Sequence, residues 1–200
     1  MTKIVKCLAA SVWMLLVTLA VIFFAKGIET NYWLGGGLFI VGLVLLFTVC
    51  ANEVLVKGFV GFVFASVFAV IQGFMLCAFL GEAAQTPEGH LLELCFLAAI
   101  LILIVVGLIS TLFCIKNLET FFFVLMGLTL LTLVAMIVTL FVADAMFAYS
   151  VSVFAIFLFT TWIIYDVQEA MQNDTPTWSV AYALYLDGMN IAVYLFYVID

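Results

Sequence analysis

The sequence predicts an all-α fold: a polytopic membrane protein of seven transmembrane helices, forming one membrane domain over residues 1–200. Three observations predict it. Hydrophobic residues make up 69% of the chain and charged residues only 8%, with a mean hydropathy of +1.44, whereas a soluble domain must keep its exterior wetted. The few charges leave long uncharged runs between them, and about 20 apolar residues cross the ~30 Å hydrocarbon core as a helix. Finally, Asp187 stands almost alone in an apolar C-terminal stretch of spanning length.

In chain order the uncharged runs are Cys7–Ala25, Thr30–Asn52, Gly58–Gly81, Leu94–Ile115, Thr120–Ala143 and Ala145–Tyr165, then Thr175–Ile199 interrupted only by Asp187. The first follows Lys3 and Lys6. It lacks a small residue at Phe23, so Phe23-Phe24-Ala25 is a poor cleavage site, and the run reads as an uncleaved first span. The second opens with Gly35-Gly36-Gly37, which permits close helix packing or loosens the helix, packing being the favoured reading. Thr86-Pro87 and Thr175-Pro176 have the threonine-cap, proline-first pattern of helix starts, and place the beginnings of spans four and seven near those points.

Lys3, Lys6, Lys57 and Lys116 fall on one side if the spans alternate, and Lys26 on the other; there is no arginine. The lysine excess places the N-terminus in the cytoplasm and the C-terminus outside or in a lumen. A bacterial inner membrane and an endoplasmic-reticulum or Golgi membrane both suit such a chain. The net charge of −7 argues against nucleic acid and offers no basic patch for anionic lipid. Cys7, Cys50, Cys77, Cys95 and Cys114 lie in or beside apolar runs without Cys-x-x-Cys spacing, and read as small core residues. His90, the one histidine, falls in a polar loop and reads as solvated. No hydrolase, metalloprotease or phosphate-loop motif occurs, so neither catalysis nor a cofactor is expected.

The chemistry concentrates on two acids. A carboxylate inside a span costs roughly 2.5–3.5 kcal/mol on insertion scales, faces the protein interior, and marks an ion or proton path. Asp166 lies nine residues before Thr175 and Asp187 twelve after it, so an antiparallel hairpin brings them within about 5 Å in depth at 1.5 Å per residue. If they face each other they share a proton and titrate as a unit. The plainer readings are that Asp166 is the polar end of span six, beside Glu169, and that Asp187 is bonded to Asn190 or a tyrosine. Tyr165, Tyr182, Tyr185, Tyr194 and Tyr197 supply hydroxyls, though interfacial anchoring is their commoner role. Gln72 in span three is a further interior partner or a helix–helix bond.

The run from Phe157 to Gln168, ending Tyr165-Asp166-Val167-Gln168, and the run Ala183-Leu184-Tyr185-Leu186-Asp187-Gly188-Met189-Asn190 resemble the Bax inhibitor-1 family. That family carries Tyr-Asp-x-Gln at the end of span six and Leu-Tyr-x-Asp-x-x-Asn in span seven. The resemblance is specific over residues 150–198 and hydropathic before them. It implies six helices around a central C-terminal seventh. It also implies a pH-sensitive calcium leak gated by paired aspartates at Asp166 and Asp187, with Tyr165, Gln168, Tyr185, Asn190 and Gln72 in support. Calcium is then the transported ion, held transiently by the two acids, and modulation of cell death or ion homeostasis follows. PH-gated members usually carry an arginine in span two that latches the span-six aspartate; this chain has none, and Lys57 is the nearest substitute. The alternatives are a non-transporting regulator that contacts other membrane proteins, and a small proton-coupled carrier. Both carrier and channel need the acids; a scaffold does not.

Overall fold

The computed structural model describes residues 2–25, 32–52, 58–85, 89–139, 141–142 and 144–199. Seven helices account for nearly all of them: α1 (Thr2–Ala25), α2 (Tyr32–Ala51), α3 (Gly58–Gln85), α4 (Gly89–Ser110), α5 (Leu118–Thr139), α6 (Ala145–Gln172) and α7 (Thr177–Ile199). No strand occurs among the described residues. All except α2 are long and apolar enough to cross a membrane; the apolar stretch of α2, Trp33–Val49, is shorter. Helices suit such sequences because each satisfies its own backbone groups where no water can. The chain is an integral, multi-pass membrane protein in character, with a lipid bilayer as its environment.

α7 packs against α6, α1, α4 and α3, while α2 lies chiefly on α3 and α5 chiefly on α6. The core accordingly gathers on α7, where Leu184, Tyr185, Ile191 and Ala192 are fully buried against residues such as Leu15, Ile22, Phe68, Phe96 and Leu103. Large apolar side chains on the outer helices, including Phe47, Leu101, Leu131, Val134 and Phe157, are exposed. Two of the glycines at close approaches bring α7 and α3 onto α1. A Cβ on Gly188 would come 2.9 Å from a methyl of Leu15, and one on Gly73 would come 2.7 Å from the Cβ of Val21, so α1 runs tight against both α7 and α3. In the Gly35-Gly36-Gly37 run only Gly35 packs, its Cβ position lying 3.1 Å from Ala78, while the other two face open space.

Side-chain bonds fix which helix ends lie together. The Lys3 ammonium donates to the Asn173 carbonyl at 2.9 Å and stands 3.9 Å from Asp174, and the Trp178 indole donates to the Gly58 carbonyl at 3.0 Å. The starts of α1, α3 and α7 therefore meet the end of α6. Lys116, in the α4–α5 turn, lies at this same end, because Gln172 at the end of α6 donates to the Ile115 carbonyl at 3.0 Å. Lys26 and Lys57 fall outside the described residues.

Several helix limits differ from the uncharged runs. α4 begins and ends five residues early, at Gly89 and Ser110, and α6 runs seven residues past Tyr165, to Gln172. Charge is a poor stop signal here, because Glu93, Asp166 and Glu169 all sit inside helices. His90 belongs to the first turn of α4, exposed and 3.3 Å from Glu93, rather than to a loop. α6 is capped by Asp144, whose Oδ1 accepts from the Met146 and Phe147 amides at 2.9 and 3.3 Å. Thr175 does not cap α7. Its buried Oγ1 has no hydrogen-bond partner among the described residues, while the Pro176 carbonyl accepts from Val180. Thr86-Pro87 and the Cys50 side chain lie outside the described residues. Cys7, Cys77 and Cys95 are buried and unoxidised, whereas Cys114 is exposed in the α4–α5 turn, contrary to the expectation of a core residue.

Candidate functional site

α6 and α7 form an antiparallel hairpin joined by residues 173–176, and the two acids meet across it. Asp166 lies six residues inside the end of α6 and Asp187 ten residues inside α7, about 9 and 15 Å from the turn at 1.5 Å per residue. Both are buried, at 8% exposure, and their carboxyl groups lie close enough to interact directly. Two ionised carboxylates have no hydrogen to share, so a bond between them needs a proton on one of them. Among the described residues no lysine or histidine pairs with either acid. Oδ2 of Asp187 is buried without any hydrogen-bond partner among the described residues.

The cost of removing the proton decides what this pair can do. Two like charges about 4 Å apart repel by about 1 kcal/mol in water, but by about 4 kcal/mol at an effective dielectric of 20. A pair in this setting therefore keeps a proton or accepts a cation in its place. Among the described residues no third acid, histidine or cysteine joins them to make a metal-holding cluster.

The other sequence-predicted residues are not gathered at the dyad. Tyr185 lies two positions from Asp187, roughly 200° around the helix, and faces away. Its hydroxyl lies 2.8 Å from that of Thr18 on α1, and its ring meets Phe68 of α3 edge-on. Because the Thr18 hydroxyl donates to the Ala69 carbonyl at 3.0 Å, it is Tyr185 that donates to Thr18. Tyr165 points to α5, packing on Phe121 and Phe122. Tyr194 stacks on Phe159 and bonds the Met136 sulfur; Tyr182 packs on Phe68; Tyr197 is exposed. Asn190 is half-buried on α7. Gln72 is buried between α3 and α2, its Nε2 lying 3.0 Å from where a Cβ on Gly42 would stand.

Gln168 is a clamp. Its Nε2 donates to the carbonyls of Ser110 and Phe113 at 2.6 and 2.8 Å, and its Oε1 accepts from the Ile115 amide at 3.1 Å. It thus holds the last turn of α4 and the following connection onto α6, two residues from Asp166. Sequence reasoning missed Ser11 and Thr18, which stitch α1 to its neighbours. The Ser11 hydroxyl lies 2.8 Å from the Cys7 carbonyl and 3.1 Å from that of Ala181 on α7. The signal was present, since hydroxyls seven apart share one helix face and small polar residues mark helix–helix contacts. Comparison of the chain with known protein families and with curated proteins gives no match in either.

Proposed function

We propose that this protein is a proton-regulated cation leak pathway of the Bax inhibitor-1 type, permeable to calcium, with Asp166 and Asp187 as its proton and cation site. The observation that carries the reading is the pair of buried, interacting carboxyls on adjacent helices. Buried acids in a membrane segment are costly to keep, and so mark ion or proton paths. In this reading the shared proton holds α6 and α7 together. Its loss leaves charge that a hard cation neutralises, with Asp187 Oδ2 as one ready oxygen. Calcium takes six to eight oxygens; two carboxylates supply part of that number and water or backbone the rest, which makes a weak site suited to passage rather than storage. All seven helices cross the membrane in this reading, with the N-terminus cytoplasmic and the C-terminus opposite, as the positive-inside rule requires of Lys3, Lys6 and Lys116. α2 has no basic residue and lies on α3, away from the dyad, so closure here relies on the acid pair itself rather than on an arginine latch. Calcium uptake into proteoliposomes of the purified protein, measured across pH, tests this function. Uptake no greater than in protein-free vesicles at every pH would refute the leak and favour a regulator acting through contacts with other membrane proteins.

A further inference from the structure

A second feature lies at the other end of the bundle from the α6–α7 turn. The end of α5, the start of α6 and the end of α7 diverge and leave a cleft of about 700 Å³ between them, the size of a small-molecule site. Met136 and Ile137 of α5, Ala148 and Val151 of α6 and Val198 of α7 form its walls. The Thr and Ser hydroxyls that line it are spent internally: Thr139 donates to the Met136 carbonyl and Ser152 to that of Ala148. On α6 the lining runs from Ala145 to Ser152, about 10 Å of helix. That is most of one leaflet of a ~30 Å hydrocarbon core. The cleft opens beside α5, whose described buried residues are only Leu125 and Thr132, so it is continuous with the lipid-facing surface.

The rim carries the distinguishing chemistry. Tyr149 and Tyr197 line the cleft, half exposed, near the start of α6 and the end of α7. Asp144, exposed, precedes Ala145 of the lining. α5, α6 and α7 contain no lysine or arginine. Aromatic faces and one carboxylate without a basic partner among the described residues favour a cationic group and disfavour an anionic one. We propose that this cleft is a binding site for one bilayer phospholipid with a zwitterionic headgroup of the choline type, whose quaternary ammonium is the group recognised. One acyl chain lies in the apolar trough and the ammonium sits among Tyr149, Tyr197 and Asp144. The site is separate from the acid pair and does not depend on the leak function.

The test is native mass spectrometry of the full chain in detergent, incubated with equimolar phosphatidylcholine and phosphatidylglycerol. One phosphatidylcholine should be retained about tenfold over phosphatidylglycerol, the order expected of a desolvated cation–π contact. Ile137→Trp, which fills the trough from a half-exposed position, should abolish retention while leaving helical content unchanged. Asp144→Asn keeps the helix cap and should lower the preference between the two lipids without abolishing binding. Equal retention of both lipids by the unaltered chain, or full retention by Ile137→Trp, overturns the proposal. Occupancy of the cleft by a second copy, seen as a dimer that Ile137→Trp dissociates, overturns it as well.

Discussion

The side-chain amide of Gln168 on α6 lies 2.6 Å from the carbonyl oxygen of Ser110 at the end of α4, a contact between residues 58 apart in sequence. With its bonds to Phe113 and Ile115, it closes the backbone that α4 leaves open at its last turn. Gln168→Leu should therefore lower stability by about 2–3 kcal/mol, because buried partners are left unmet. Gln168→Glu should lower it at least as much, since a carboxylate faces two carbonyl oxygens. Thermal unfolding in detergent reads both. An unchanged midpoint in both variants would mean that water replaces the clamp.

Asp187→Asn preserves the shape of the dyad and supplies a permanent amide donor to Asp166. Flux in proteoliposomes should then lose its pH dependence, and Asp166→Asn should alter it. If both variants conduct calcium with the same magnitude and pH profile as the unaltered chain, the pair is structural.

Calcium binding at the dyad should expel its shared proton, because a protonated carboxyl is a poor ligand. Binding should therefore strengthen as pH rises and weaken as it falls. Titration calorimetry in two buffers of different ionisation enthalpy should show proton release, and Asp187→Asn should remove it. Equal heats in both buffers for the unaltered protein would contradict proton exchange.

Gly73→Ala places a methyl 2.7 Å from the stiff Cβ of Val21, and should cost about 1–3 kcal/mol through overpacking. Gly127→Ala on α5 meets nothing within 4 Å and should cost nothing. The pair of midpoints separates a tight α1–α3 seam from a general intolerance of alanine.

Cys114 is exposed in the same turn as Lys116, at the end of the bundle that the lysines assign to the cytoplasm. A membrane-impermeant maleimide should label it in inverted vesicles and spare it in intact cells. Labelling in intact cells would reverse the proposed orientation.

The helices were legible because a bilayer demands long uncharged runs, and seven such runs coincide with the seven helices to within several residues. Their limits were less so, since Glu93 and Asp166 were read as ends yet lie within helices. The meeting of Asp166 with Asp187 was legible from depth, the one coordinate that helical rise supplies. Direction around the helix was harder. Tyr185 and Tyr165 were read as companions of the acids, but one faces α1 and α3 and the other α5. Gln168 shows the same limit, because its partners on the α4–α5 connection belong to no sequence pattern.

The burial of α7 among α1, α3, α4 and α6 has a consequence for biogenesis. It is the last of the seven to leave the ribosome, yet it fills the middle of the bundle. Until it arrives, the Ser11 and Thr18 hydroxyls lack their contacts to Ala181 and Tyr185, and the Leu15 side chain has no Gly188 to lie against. The earlier helices must wait in a loose arrangement with an open slot, and the bundle closes only once α7 has emerged. An insertion chaperone that shelters this gap would act in that interval, and stalled chains lacking α7 are the species quality control would meet.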